Sequence, residues 1–99
     1  MKRFRLSPNA RNDLDEIWVY VARERTTEAA DRLVDSLTQR FSLLADMPNI
    51  GRKRDDLEPG ARSLPVGSYV IYYRRSGRAI EISRVVHGAR DVKKLFGAN

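Results

Sequence analysis

Cysteine is absent from the chain, so neither a disulfide framework nor a thiolate-held zinc is available to it. That absence fits a reducing compartment, and the cytoplasm is the expected location. Histidine occurs once, at position 87, which removes the other common zinc constellations. Beyond residue 60 the only carboxylates are Glu81 and Asp91, too few to gather around a magnesium ion. No metal and no cofactor are expected. Nothing approaches the roughly 18 consecutive apolar residues of a membrane span. Residues Met1 to Leu6 hold no apolar run of signal-peptide length, so no membrane contact is expected either. The phosphate-cradling spacings Gly-x-x-x-x-Gly-Lys and Gly-x-Gly-x-x-Gly are both missing.

What is present is a chain of 99 residues, 41% of them hydrophobic, enough for one modest core; residues 1–99 are expected to form a single domain. The net charge of +6 is unevenly placed. Residues 1–60 carry 11 Lys or Arg against 11 acids, whereas residues 61–99 carry eight bases against two acids. The basic third attracts nucleic acid or an acidic protein. Its bases are mostly Arg, suited to bidentate contacts with carboxylate or phosphate, which favours an acidic partner.

Lys2 to Leu6 alternates like a short half-buried strand, with Phe4 and Leu6 on one side. Ser7-Pro8 then opens a helix, serine as cap and proline at the first helical position. Leu14, Ile17, Trp18 and Val21 give it one apolar stripe, which Arg23 to Thr26 interrupts. A second helix begins near Thr27. Ala30, Leu33, Val34, Leu37, Phe41 and Leu44 keep helical spacing until Pro48, so the two helices are expected to pair as an αα-hairpin. Asp13, Asp15 and Glu16 point around the first helix instead of converging, and a solvated or partner-facing role is expected for them. Trp18, Phe41 and Phe96 read as core aromatics. Asn49 to Gly60 has no periodicity and reads as a surface loop.

Three strands follow: Arg62 to Val66, weakened by Pro65, then Ser68 to Arg75 and Arg78 to Val86 around a two-residue loop Ser76-Gly77. That loop sets Tyr73 opposite Ile80, Ile71 opposite Ile82 and Tyr69 opposite Arg84 on a helix-covered side. The other side then holds Val70, Tyr72, Glu81, Ser83, Val85 and His87, a mixture that suits a docking face. Arg84, on the covered side unless a bulge intervenes, needs a carboxylate, and the first helix offers Asp13 or Glu16. The last strand stops at His87-Gly88, leaving the imidazole, Arg84 and Arg90 at the rim of the sheet. From Gly88 to Asn99 runs a basic tail with one apolar edge.

Several segments, in this order and spacing, resemble the ParE branch of the RelE/ParE superfamily, the toxin halves of bacterial type II toxin–antitoxin operons. They are Leu6-Ser7-Pro8 with Ala10 and Asp13 to Trp18, Pro48 to Arg52, Arg62 to Pro65 with Tyr69 to Arg74, and Ile82 to Asp91. The resemblance implies an α+β fold: an N-terminal strand and αα-hairpin packed on a small curved, mainly antiparallel sheet (β-α-α-β-β-β), with a short C-terminal tail or helix. RelE-type relatives resemble ribosome-dependent endoribonucleases, with an Arg just before the apolar-Tyr core of the penultimate strand and paired bases on the strand before it. Here those positions carry Val70, and Arg62 followed by Leu64. The chain departs toward ParE-type members, which resemble inhibitors of DNA gyrase that act by binding.

The resemblance therefore implies a gyrase-binding toxin, with no catalytic residue, neutralised by a cognate ParD-like antitoxin whose acidic, amphipathic C-terminal segment wraps it. Sequence-specific nucleic-acid binding is not expected. Antitoxin contact is expected at Arg62, Val70, Tyr72, His87 and Arg90, and target contact in the tail, at Arg90, Lys93, Lys94 and Phe96. The alternative from another class is a mRNA endoribonuclease using His87, Arg62, Arg90 and Glu81. A third reading is an α+β interaction module without toxicity.

Overall fold

A computed structural model describes residues 3–97. Strand β1 (Phe4–Leu6) leads into helices α1 (Pro8–Glu24) and α2 (Thr27–Asp46); strands β2 (Arg52–Lys53), β3 (Arg62–Val66), β4 (Tyr69–Ser76) and β5 (Ala79–His87) follow, and a short helix α3 (Val92–Leu95) comes last. The expected start of the first strand at Lys2, and the tail's Ala98 and Asn99, lie outside the described residues. The five strands form one open sheet in the order β1-β5-β4-β3-β2. Only the β1–β5 pair is parallel. The α+β fold class stands.

Both long helices start on side-chain caps. The Ser7 hydroxyl accepts from the Ala10 N–H at 3.0 Å with Pro8 at the first helical position, and the Thr26 hydroxyl accepts from the Ala29 N–H at 3.0 Å. The hairpin lays Ala10, Ile17, Val21, Ala30, Leu37, Phe41 and Leu44 on Ile71, Tyr73, Ile80, Ile82 and Val85 of the sheet. Trp18 is only half-buried, and its indole N–H donates to Asp31 across the hairpin at 2.8 Å.

The β4–β5 register corrects the one derived above. The loop is Gly77-Arg78, not Ser76-Gly77, because a two-residue turn of this kind needs positive φ at its first central position and glycine supplies it, at 63°. Arg75 therefore faces Ile80 and Tyr73 faces Ile82. A bulge follows, since Tyr72 pairs with Arg84 and leaves Ser83 unmatched. Beyond it the faces of β5 exchange. Val85 and His87 turn to the helix side, Val85 fully buried, while Val86 joins the outer face.

Asp13 holds this bulge and is itself a correction, for it is 3% exposed and not solvated. Arg84 grips both its oxygens, Nε to Oδ2 at 2.7 Å and Nη2 to Oδ1 at 2.8 Å, and the Val85 N–H donates to Oδ2 at 2.9 Å. The expected pairing of Arg84 with α1 is thus met by Asp13, although the bulge sets Arg84 opposite Tyr72 of the outer face and not opposite Tyr69 on the helix-covered side. That carboxylate holds the Arg84 guanidinium above its ordinary pKa.

The Asn49–Gly60 segment is more ordered than a surface loop. Arg52 and Lys53 pair with Ser63 and Arg62, and Leu57 is buried against Tyr72 and Val86 together with Val92, Leu95 and Phe96. The outer face of the sheet is thus covered by the chain's own tail. At the other end of the sheet, the Tyr73 hydroxyl donates to the Pro48 carbonyl at 2.8 Å and accepts from the Gly51 N–H at 2.9 Å. A Cβ at Gly51 would lie 2.7–2.8 Å from the tyrosine ring, so only glycine fits there.

Two stability predictions follow from these contacts. Arg84→Ala strands a buried carboxylate and should cost about 3 kcal/mol, lowering Tm by more than about 10 °C; a variant melting like the parent would show that Asp13 does not depend on this partner. Burial raises the Tyr73 phenol, more than the Gly51 amide and the Arg62 charge lower it, and burial raises Tyr69 also. A phenol that holds its proton more tightly when folded contributes fully below about pH 10 and loses that contribution as pH rises further. Tyr73→Phe should therefore cost about 1–2 kcal/mol at neutral pH and flatten the alkaline loss of stability. Denaturant melts across that range check it, and parallel curves would exclude Tyr73 as a source of the pH dependence.

Candidate functional site

Helices cover one face of the sheet and α3 with the Leu57 segment covers much of the other, which leaves the two ends of the sheet for partners. His87 stands at the first end. Its ring meets Tyr69 edge-on at 5.8 Å between centroids, and its Nδ1 accepts from the Ala89 N–H at 3.2 Å. The Gly88 N–H donates to the Ser68 carbonyl at 2.9 Å and the Arg90 N–H to the His87 carbonyl at 3.0 Å, so the rim loop is fastened to the β3–β4 turn.

Beside His87 lies a cleft of about 600 Å³ between the helical hairpin and that turn. Val21, Ala29, Leu33 and Val66 give it apolar walls, Arg25 and Arg40 are charged and exposed, and Tyr20, 62% exposed, stands at its edge. No carboxylate side chain lines it. A segment with apolar side chains and acidic neighbours is the complement of such a surface. Sequence reasoning missed Tyr20, Arg25 and Arg40. The available signal was a large aromatic on the polar side of α1, beside the core residue Val21.

Arg62 stands at the opposite end. Its Nη1 donates to the Gly51 carbonyl at 2.7 Å and the Asn49 carbonyl at 3.2 Å, so part of its guanidinium is committed to the turn that Tyr73 also fastens. Val70 and Tyr72 are on the outer face. Tyr72 is 5% exposed, with Phe96 against its ring at 5.6 Å and the Arg54 guanidinium over it at 5.8 Å. Phe96 thus belongs to a small outer cluster and not to the main core. Arg90, Lys93 and Lys94 are exposed.

Of the four groups of the ribonuclease alternative, His87 and Arg90 share the rim loop, and Glu81 and Arg62 lie away from them. Glu81 and His87 are six residues apart on β5, roughly 18–20 Å along a strand, and Arg62 sits in the row of Tyr73 and Ile82, away from His87. Glu81 is bound by Arg5 at 3.5 Å and Arg74 at 3.3 Å. Among the described residues no three His, Asp or Glu side chains come together as a metal site, and no helix is long and apolar enough to cross a membrane.

Comparison with known proteins agrees with this architecture. The family model described as the ParE toxin of the type II toxin–antitoxin system, parDE, matches residues 4–92. The chain is 34% identical to Toxin ParE1 of Caulobacter vibrioides over 97 residues, covering 98% of this chain and 100% of that one. It is 34% identical to Toxin ParE1 of Mycobacterium tuberculosis over 93% of this chain and 95% of that one. Toxin RelE3 of C. vibrioides is 32% identical over 88% of this chain and 95% of that one. A solved structure described as the chromosomal ParDE TA system from P. aeruginosa superposes with a TM-score of 0.75 at 25% identity, over 88% of this chain and 96% of that one. A family match across nearly the whole length, over a sheet and hairpin of the same shape, makes the chain a member of the ParE toxin family of type II toxin–antitoxin systems.

Proposed function

We propose that this ParE-family toxin arrests growth by binding DNA gyrase in the cytoplasm, without catalysis, and is neutralised by a cognate ParD-like antitoxin. The observation that carries the non-catalytic reading is the separation of His87, Glu81 and Arg62, because proton transfer and phosphate stabilisation need groups within hydrogen-bond reach of one reacting centre. Arg62 is partly spent on loop carbonyls, and the position where RelE-type nucleases are expected to carry an Arg is Val70, packed against the Tyr72 and Val86 cluster. Similarity to Toxin RelE3 keeps ribosome-dependent mRNA cleavage as the second reading.

In this proposal the antitoxin segment lies in the His87 cleft, its apolar side chains against Leu33 and Val66 and its carboxylates toward Arg25 and Arg40. From there it crosses the rim at Arg90. Reaching Val70 and Tyr72, beneath α3, and Arg62 at the far end requires a segment that wraps the toxin. Target contact is assigned to the exposed bases Arg90, Lys93 and Lys94 beside Phe96.

Purified toxin should inhibit gyrase supercoiling and leave ribosome-bound mRNA intact; cleavage without supercoiling inhibition would reverse the assignment. Lys93→Glu with Lys94→Glu reverses two exposed charges and spares Phe96 itself, so gyrase inhibition should fall at least about tenfold while antitoxin capture persists. Full inhibition by that variant would move the target surface elsewhere. Arg25→Glu with Arg40→Glu should instead weaken antitoxin binding by at least about tenfold, read by calorimetry, and unchanged affinity would exclude the cleft.

A further inference from the structure

The cleft at the Arg62 end has a different chemistry from the one at His87. It measures about 270 Å³ and is bounded by the Pro48-Asn49 turn, Pro59-Gly60, Tyr73 and the arginines Arg62, Arg74 and Arg75. Three arginines line it and no Asp or Glu does. We propose that this cleft is a phosphate-binding site that takes the backbone of a nucleic acid, without reading its sequence.

Arg62 is the organised part of the site. A guanidinium has five N–H donors in one plane, and its two bonds to Asn49 and Gly51 use only Nη1. The plane is therefore fixed by the turn while Nε and Nη2 remain for a ligand. Arg75 is exposed and has no carboxylate partner among the described residues; Arg74 gives its Nε to Glu81 and keeps its remaining donors. Planar forks of this kind match the oxygens of a phosphate, and Arg is the side chain that binds them bidentately.

Two observations favour a phosphate chain over an acidic peptide. Apolar contacts supply much of a peptide's affinity, and the apolar part of this cleft is two prolines and Tyr73, where the larger His87 cleft offers an aliphatic wall of Val21, Ala29, Leu33 and Val66. The cations also continue beyond it. Lys53 is paired in register with Arg62, one strand spacing away (about 4.8 Å), and Arg78 is exposed in the β4–β5 loop past Arg75. A line of bases suits a repeating anion, whereas a single phosphate needs only the cleft. The inference stands apart from the gyrase reading, because it concerns the other end of the sheet and holds for any target that presents nucleic acid.

The test is fluorescence anisotropy of a labelled oligothymidylate and a labelled DNA duplex against the full chain, with pyrophosphate as competitor, across a salt series. Arg75→Glu and Arg23→Glu make the same charge change at exposed positions, one in the cleft and one on α1. Arg75→Glu should weaken binding at least about tenfold more than Arg23→Glu. Arg75→Gln should lower the slope of log affinity against log salt by about one, the signature of one lost phosphate contact. Pyrophosphate should displace the oligonucleotide and shift the amide resonances of Gly51 and Gly60. Equal losses in the two charge reversals would mean diffuse attraction by a basic protein and overturn the site. Binding of pyrophosphate without either nucleic acid would make the ligand a free phosphate compound, and binding of oligoglutamate in preference to both nucleic acids would make it an acidic protein; each result overturns the proposal.

Discussion

The carboxylate of Asp13 is the constraint on which the rest of the molecule depends. It sits at the junction of α1 and β5 and closes three hydrogen bonds, two from Arg84 and one from the Val85 amide. A carboxylate 3% exposed is tolerated only when such partners replace the water it has lost. Just before it, the Ser7 N–H donates to the Ile82 carbonyl and the Ser7 hydroxyl to the Ser83 carbonyl, so the edge of β5 passes from the partner strand β1 to the start of α1 without a gap. The extra residue in β5, Ser83, falls where that hand-over occurs. Once it is inserted, every following side chain of β5 changes face. The position of His87 beside Tyr69, at the mouth of the hairpin cleft, is a consequence of that one inserted residue.

The same bulge explains why the sheet has two covered faces in so short a chain. Val86, turned outward, joins Tyr72 in an apolar patch that the Leu57 segment and α3 then cover. With helices on one side and the tail on the other, little of the sheet's surface is left for a partner. The ends are what remain. One combines aliphatic walls with Arg25 and Arg40, the other combines Arg62, Arg74 and Arg75 with two prolines and Tyr73.

Elements whose pattern is local were legible in the sequence. The cap at Ser7, the α1 and α2 stripes and the hairpin-forming strands all follow from spacing within a few residues. Arg84 meets a carboxylate of α1 as the sequence suggested, but not from the helix-covered side: the bulge sets it opposite Tyr72, and it reaches Asp13 at the junction with α1. What escaped depends on contacts far apart in sequence. The two-residue strand Arg52–Lys53 has no periodicity of its own and exists only against β3. Leu57 lies in a run of charges and is buried only because α3 returns over it. The loop position of Gly77, first and not second, sets the whole register of β5. The exchange of Val85 and Val86 could not be read from a strand in which both neighbours are valine.

The distribution of charge also needs the structure to be interpreted. The basic third holds the entire excess of the chain, yet its arginines are not equivalent. Arg84 is consumed by Asp13, Arg62 is partly consumed by the Pro48–Gly51 turn, and Arg74 shares Glu81 with Arg5. These groups fix the fold and add little long-range attraction beyond what their partners cancel. Arg75, Arg78, Arg90, Lys93 and Lys94 are exposed, and no carboxylate forms an ion pair with them among the described residues, although the Lys93 charge acts on Asp56. Arg75 and Arg78 stand at the Arg62 end of the sheet and the other three at the His87 end and along α3, so the field that steers a partner comes from two separate groups and not from one basic face. Removing a member of either group weakens attraction at one end alone, whereas removing Arg84 disrupts the junction that sets both ends in place.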